Sequence, residues 1–573
     1  MQIIKSLLTL IVFTSPVFLL GQTTYLQQGA KEYQLIDRIE IKQQYNNELN
    51  FSSLKPYSRK AIVKQIEHLD SARIGFADSA TGMDTHQLWN DLKLSPVDEY
   101  NLQSLLMNNS EWVTGSTENF MSRKPVLKAF YKTKPNFIEV NTEDFFLAVN
   151  PVLQFQQSKE NNYGRNVFLN TRGITARGMI TKKIGFSTFL TDNQERGPRF
   201  FQDRINKFNA VPGVGFYKTF KQDGVDYFDA RGYITFNAAK YIDFQFGYDK
   251  NFIGNGYRSL FLSDWGNSYL FLKVNTRIWK LNYQNLFMEL MPRFKKNGDV
   301  LLDRKYAAIH HLSMNVTKGI NVGLFEGVIF GRQNRFDFQY LNPVIFLRHI
   351  EGTVGSPDNA VAGIDFKANA LHTIQVYGQL LLDEFILKQI TKNNGYWANK
   401  WGWQLGIKYI DAFMIKNLDL QLETNRVRPY TYQHSDSVAN YTHYNLPLAH
   451  PLGANFQELV AVAKYQPAPK WYFNARAIYY YQGLDTATTN FGSNPLLDYD
   501  TRPGDYGFDV GSGQKVNCLN AMFQLSYELK ENLFIEGSLL LRNFKVKDLG
   551  ITNNTTMASI GVRLNMFKRD YDF

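Results

Sequence analysis

Residues 559–573 read S-I-G-V-R-L-N-M-F-K-R-D-Y-D-F. Ile560, Val562, Leu564 and Met566 alternate with Ser559, Gly561, Arg563 and Asn565, and the last residue is Phe573. A period of two marks a strand with two unlike faces. An unpaired edge strand is a liability in a soluble sheet. A barrel needs such a strand, because its last strand must pair with its first to remove the edge. The expectation is therefore a closing strand running to the terminal aromatic. The competing reading is an ordinary exposed strand with a ragged tail.

Composition supports the barrel. Of 573 residues 15% are aromatic, with 33 Tyr and 44 Phe, yet mean hydropathy is −0.32. Apolar residues interleaved with polar ones give that combination; apolar runs do not. Residues 1–22 carry Lys5, an apolar core from Leu7 to Leu20, and Gly21. This reads as a secretory signal peptide, too short for a membrane span and with no second such stretch. Cys518 is the only cysteine, which excludes an intramolecular disulfide, a lipoprotein cysteine and a multi-cysteine zinc site. The net charge of +11 has no long Lys/Arg run behind it. In an exported chain it points to acidic glycan or lipopolysaccharide, not to nucleic acid.

Residues 23–112 carry helical periodicity. Ser58 is placed to cap a helix bearing Ile62, Ile66 and Leu69. Ser95 followed by Pro96 opens another, bearing Leu102, Leu105 and Leu106. From Asp144 the period becomes two and stays so. Leu519, Ala521, Phe523, Leu525 and Tyr527 alternate with Asn520, Met522, Gln524, Ser526 and Glu528. Trp471, Phe473, Ala475, Ala477 and Tyr479 do the same against Tyr472, Asn474 and Arg476, as do Leu418, Leu420 and Leu422 against Asp419, Gln421 and Glu423. Strands of ten or more residues with aromatic ends suit a membrane span better than a soluble sandwich.

Short polar turns are expected at 181–183, 237–240, 317–319, 467–470 and 530–532, with others near 277–280, 367–372 and 411–417. Between them run long connections at 194–224, 250–267, 292–304, 333–359, 388–400, 428–454 and 483–515. Tight periplasmic turns alternating with long outer loops are the outer-membrane habit. Strand starts near 144, 165, 183, 226, 240, 268, 278, 305, 319, 359, 373, 401, 416, 455, 469, 516, 532 and 554 give about eighteen strands. The fold class is all-β: a transmembrane antiparallel barrel with a small N-terminal helical element. Its parts are a signal peptide (1–22), a helical segment at the periplasmic side that caps or plugs the barrel (23–125), and the barrel itself (126–573).

Catalytic signatures are missing: the sequence has no G-x-S-x-G elbow, H-E-x-x-H, Walker loop or G-x-G-x-x-G. His310, His311, His349, His434, His443 and His450 have no neighbouring Ser nucleophile in sequence, and Asp383–Glu384 reads as a solvated rim pair. The expectation is a non-enzyme needing no cofactor and no metal.

The long loops combine flat aromatics with directional polar groups, the means by which proteins grip sugar rings. In 250–267, Gly254 and Gly256 allow a tight backbone path, Tyr257 and Trp265 offer ring faces, and Arg258, Asp264 and Asn267 offer hydrogen bonds. In 333–359 stand Tyr340, Arg348, His349, Glu351, Asp358 and Asn359, around an apolar run at 343–347 expected to fold inward and narrow the lumen. The candidate ligand residues are Tyr257, Arg258, Asp264, Trp265, Tyr340, Arg348, Asp358 and Asn359. Aromatic packing that merely seals the barrel explains them equally well.

Five spaced motifs add a resemblance. They are F-I-G-N-G-Y-R-S-L-F-L-S-D (252–264), L-N-P (341–343), G-S-P-D-N (355–359), V-Y-G-Q-L-L-L-D-E (376–384) and L-A-H-P-L-G-A-N-F (448–456). Together they resemble the Wzi capsule-assembly outer-membrane family, in particular the Bacteroidetes branch that includes the gliding-motility protein RemB. The resemblance runs from about residue 140 to the end and is weaker in the helical part. It implies an eighteen-stranded outer-membrane barrel sealed by a helical element and inward loops, recognising surface polysaccharide in a lectin-like way. The branch implies a role in gliding or adhesion. The resulting expectation is a monomer in outer-membrane lipid whose loops bind capsule, exopolysaccharide or lipopolysaccharide. A saccharide or small-solute channel is the alternative; a barrel hydrolase with a Ser–His or Asp–His pair at the rim is the third reading.

Overall fold

Eighteen long strands joined in sequence order make up the wall. In the computed structural model they are β1 (Phe145–Glu160), β2 (Val167–Ile180), β3 (Ile184–Arg196), β4 (Gly224–Ala239), β5 (Ile242–Asp249), β6 (Tyr269–Ile278), β7 (Leu281–Leu290), β8 (Lys305–Thr317) and β9 (Ile320–Phe330). The second half comprises β10 (Asn359–Ala370), β11 (Ile374–Glu384), β12 (Lys400–Tyr409), β13 (Leu418–Val427), β14 (Phe456–Tyr465), β15 (Trp471–Leu484), β16 (Gln514–Lys530), β17 (Leu533–Val546) and β18 (Ile551–Leu564). The structure describes residues 23–45, 51–74, 92, 94–292, 301–344, 347–355, 358–384, 386–392 and 394–573. The signal peptide expected at 1–22 lies outside them. Each strand begins within three residues of its expected start.

Every strand pairs antiparallel with the next, and β18 returns to β1 with Ser559 opposite Ser158 and Leu564 opposite Leu153. The part of β1 beyond β18 is taken by Ile138–Asn141, which runs from opposite Val149 to opposite Phe146. Between the two stretches the Asn565 side chain donates to the Pro151 carbonyl at 2.9 Å, so the seam is closed along most of β1, as a wall in hydrocarbon requires. Phe473, Tyr479, Leu519, Phe523, Leu525 and Ile560 face outward and are exposed, whereas Arg476, Asn520, Glu528 and Arg563 point into the lumen and are buried there. The alternation seen in sequence is thus lipid-facing against lumen-facing. At one end the eight connections are short. Thr181–Lys182 and Leu371–His372 each place two residues in left-handed backbone, the mirror-image turn that matches strand twist.

That short-turn end is plugged by helices α1 (Glu32–Gln43), α2 (Arg59–Ile74) and α3 (Pro96–Asn108). Ser58 accepts from the Ala61 amide, and Ser95 with Asp98 forms a reciprocal capping box, so both expected caps are present. Leu35, Ile36, Ile39, Ile62, Ile66, Leu69, Leu102, Leu105 and Leu106 form their common core. Charge ties the plug to the turns and the inner wall. Arg38 pairs with Asp98 at 2.7 Å, Asp411 at 2.8 Å and Asp419; Lys42 pairs with Asp411 at 2.6 Å, and Lys31 with Glu528 at 2.6 Å. Lys367 meets Glu40 at 2.5 Å inside the lumen.

Three expectations are corrected. The closing strand stops at Leu564, and Asn565 turns through a left-handed conformation (φ 50). The rest of the tail enters the lumen, where Phe573 is buried among Phe201, Tyr217, Trp265 and their neighbours. Continuing the strand through K-R-D-Y-D would have set charges against lipid, which is costly, whereas the polar lumen holds them. Second, 250–267 is not an outer loop. Ile253, Leu260, Phe261 and Leu262 fold inward and, with Tyr432, Tyr441 and Leu448 from the 428–454 connection, form an apolar core inside the barrel. Its Phe252–Ile253 pairs with Leu54–Lys55 of the N-terminal segment, and the Gly254 amide donates to Ser53 at 2.7 Å.

Third, the described residues of the 331–358 connection pack on the outer wall and do not narrow the lumen. Tyr340, Leu347 and Ile350 pack on Tyr306, Ala308, Val328 and Phe330. Those wall residues alternate with lumen-facing Ala307, Ile309 and Ile329, so the packing is on the outer wall. Helix α4 (Leu347–Val354) lies there, with the Arg348 amide donating to Glu326 at 3.0 Å. Within the apolar run, Val344 is 84% exposed, and 345–346 lie outside the described residues.

Two outcomes are expected. Asp572→Ala removes a carboxylate from buried Arg258 and should lower barrel stability by about 3 kcal/mol, read as earlier loss of the heat-modifiable folded band; a shift no larger than that of Asp548→Asn would sink this account of the tail. Arg38→Ala leaves three carboxylates short of a cation and should expose α1 to trypsin while the wall stays folded. Protection equal to the unaltered protein would contradict the ion-pair tether.

Candidate functional site

Four of the eight sequence candidates come together, but inside the barrel. Tyr257, Arg258, Asp264 and Trp265 line one lumenal cavity of about 650 Å³, within the range of ligand pockets. Gly256 sets the path, because a side chain there would strike the Glu423 carboxylate. That carboxylate accepts from the Tyr257 amide at 2.6 Å and the Arg258 amide at 3.0 Å. Arg258 is 5% exposed and is committed to Asp572 at 2.9 Å and Glu458 at 3.5 Å. The Tyr257 hydroxyl donates to Asp572 at 2.6 Å and accepts from Arg476 at 2.8 Å. Trp265 lies edge-on to Phe573 at 6.0 Å, with the Arg204 guanidinium 4.7 Å above it. Lys250, on the same wall, is pushed down to about 7 by burial first and Arg231 second.

The other four are elsewhere. Tyr340 donates to Asp358 at 2.6 Å, and Arg332 pairs with the same carboxylate at 2.6 Å, a tie at the foot of the outer-wall loop. Arg348 projects outward and pairs with Glu351 at 2.7 Å. Asn359 faces the lumen and donates to the Ala439 carbonyl at 2.9 Å.

A surface-facing aromatic cluster, absent from the sequence candidates, lies at the long-loop end. The 386–399 and 485–513 connections are zipped there: the Gly507 and Phe508 amides donate to Asn394 and Gly395 at 3.0 and 2.9 Å, and the Trp397 amide to Asp505 at 3.0 Å. Gly395 has φ 66, and a side chain there would meet the Phe508 amide nitrogen at 2.6 Å, so glycine permits the close approach. Trp397 lies 4.8 Å from Tyr499, and Tyr396 lies 5.4 Å from Tyr506. The Arg502 guanidinium covers Trp397 at 3.9 Å and is held by Asp500 and Asp505, each at 2.9 Å. Beneath, Lys400 sits 4.7 Å over Tyr499 and pairs with Glu384 at 3.2 Å and Asp383 at 3.4 Å. Asp383 is thus buried against a lysine, whereas Glu384 stays partly exposed, so only one of the two acids is solvated as expected. Tyr506 is 56% exposed and Tyr396 half-buried, flanked by charged groups. Rings from separate loops reach one place only through the fold, so single-loop reading misses them.

Four of the histidines, His311, His434, His443 and His450, are held as structural groups. His311 meets Asp365 at 2.7 Å and His450 meets Glu458 at 2.9 Å, every one of these side chains at most 1% exposed. His443 accepts from the Met291 amide at 3.0 Å and contacts the Ser268 carbonyl at 2.9 Å. His434 is depressed by burial and then by Lys400. Among the described residues none of these four has a serine hydroxyl as partner.

Comparison with known proteins follows the architecture. The family model described as capsule assembly protein Wzi matches residues 143–483. Among curated proteins nothing matches. The solved structure of Escherichia coli Wzi, described as a carbohydrate-binding β-barrel involved in group 1 capsule assembly, superposes with a TM-score of 0.56 at 13% identity, covering 96% of this chain and 100% of that one. Pseudomonas aeruginosa OprD (TM-score 0.41, 10% identity, 73% of this chain and 94% of that one) and Acinetobacter baumannii OccAB2 (0.41, 9%, 73% and 97%) are also similar. With more than half its length matched by the family model, this outer-membrane barrel belongs to the Wzi capsule assembly family.

Proposed function

We propose that the long-loop rim binds surface polysaccharide, capsule or exopolysaccharide, and anchors it to the outer membrane. The observation that carries this reading is the platform of Tyr396, Trp397, Tyr499 and Tyr506 interleaved with Arg502, Asp500 and Asp505. Ring faces accept the apolar face of a sugar while charged groups bond its hydroxyl rim. Family membership supports it, and the E. coli relative is described as carbohydrate-binding. Tyr257 and Trp265 then belong to a separate site in the lumen, and Arg348 to the outer wall, where it faces lipid headgroups or lipopolysaccharide.

The channel reading asks for a clear path. Here the apolar core of inward loops, the tail and the helical plug occupy the lumen in series. A task of holding glycan, not conducting solute, suits that filling. The protein acts as a monomer in this reading, since the platform comes from one chain. A part in gliding motility or adhesion would follow from holding polysaccharide at the cell surface, and it rests on the motif resemblance to the motility branch.

Tyr396→Ala with Tyr506→Ala should weaken binding of purified surface polysaccharide about tenfold without changing the heat-modifiable band, whereas Trp265→Ala leaves rim binding unchanged. Equal affinity in the double variant, measured by biolayer interferometry, overturns the rim site. In planar bilayers the native protein should show no steady ion current. Stable open-pore steps would favour the channel.

A further inference from the structure

The lumenal cavity is lined by more basic than acidic side chains, although Lys31, Arg177 and Arg563 pair with Glu528, Glu111 and Glu536 just behind the wall. Among the described residues its wall holds thirteen basic and eight acidic side chains. Most of the acids are already engaged. Asp570 pairs with Arg476 at 2.9 Å, Asp572 with Arg258 at 2.9 Å, and Asp229 with Arg231 at 2.7 Å. Lys55, Lys408 and Lys464 all act on one carboxylate, Asp37, and Lys568 lies close enough to Lys464 to repel it.

Among the described residues only Lys408 reaches Asp37 directly, at 2.9 Å. Lys464 and Lys568 have neither an ion-pair nor a hydrogen-bond partner among the described residues, and Lys55 has the Phe252 ring at 4.6 Å as its neighbour. Burial works against the charge of Asp37, yet Lys408, Lys55 and Lys464 hold it below the usual carboxylate range. Burial, with Lys408 next, pushes Lys55 down to about 8; burial also pushes Lys568 down to about 8. Glu536 and Asp570 act favourably on Lys568, and Asp37 and Asp264 on Lys55, but among the described residues none of these acids ion-pairs with them. Ammonium groups held out of water without a direct partner are costly, and an anion among them relieves that cost.

The rest of the wall suits a hydroxylated body. Asn474, Asn532 and Gln421 supply amides, and Tyr257, Trp265 and Phe567 supply ring faces. Asn532 lies on a short turn and residues 27–30 lie just ahead of α1, so the cavity reaches toward the short-turn mouth and away from the rim platform.

We infer that this cavity is a second binding site, distinct from the rim, for a small sugar-sized anion bearing a carboxylate or phosphate, gripped by Lys55, Lys464 and Lys568. Acidic sugar and phosphate share that chemistry, and the test separates them. The inference does not depend on the rim reading.

The test is isothermal titration of the full folded chain in detergent with glucuronate, inorganic phosphate and glucose. Glucuronate should bind, glucose should not, and Lys464→Gln with Lys568→Gln should weaken glucuronate binding about tenfold or more. Binding of phosphate in place of glucuronate, with the same loss in the double variant, keeps the anion site and assigns it to phosphate. Tyr396→Ala with Tyr506→Ala should leave anion binding intact, so failure at one site is distinguishable from failure at the other. Should the double lysine variant lose its heat-modifiable band, Lys464→Gln alone and the fall of native affinity with added NaCl give the same reading. No heat with either anion, affinity equal to that for glucose, or full affinity in the folded lysine variants overturns the inference.

Discussion

Everything in this molecule depends on the pairing of β18 with β1. In hydrocarbon each backbone N–H and C=O must find a partner in the protein, and a sheet meets that demand only when it has no edges. The seam of Ser559 with Ser158 through Leu564 with Leu153, completed by Ile138–Asn141, supplies the missing partners. Closure also fixes which way every side chain faces. With strands locked in register, alternate residues turn into the lumen, and a lumen lined by Arg476, Glu423, Lys367 and Asp365 is a space that has to be filled by water or by protein.

Protein fills much of it, from both ends. From the short-turn side come the helices, held by Arg38, Lys42 and Lys31 against carboxylates of the turns and wall. From the other side come the inward loops with their apolar core, and between them lies the tail around Arg258, Arg476 and Phe573. Charged pairs at this depth are strong only because neither partner is left alone. What remains is a cavity lined by more cations than acids and, at the long-loop end, a cluster of aromatics of which Tyr506 is exposed.

Much of the wall was legible because a membrane strand must obey one rule along its whole length. Leu519 to Tyr527 announces both its faces without help from any neighbour, and Ser58 and Ser95 announce helix starts by local hydrogen bonding. The misreadings share a physical origin. Whether a loop enters the lumen, lies on the outer wall or stands free is decided by partners far away in sequence. Arg258 needs Asp572 to be drawn inward, and Leu347 needs the outer faces of β8 and β9. The terminal Phe573 looked like a strand end because the preceding alternation is real; the charges at 568–572 are what stop it. The rim platform was illegible for the same reason: Tyr396 and Tyr506 meet only because two connections zip together through Gly395 and Gly507.

The short ladder between Leu54–Lys55 and Phe252–Ile253 has a mechanical meaning. One partner belongs to the segment that carries the plug helices, the other to a loop that hangs from the opposite mouth. They are joined by backbone hydrogen bonds that run through the middle of the barrel and never through its wall. A pull on the plug therefore either breaks this ladder or drags the inward loop with it. The two faces of the membrane share a mechanical linkage inside an otherwise rigid cylinder.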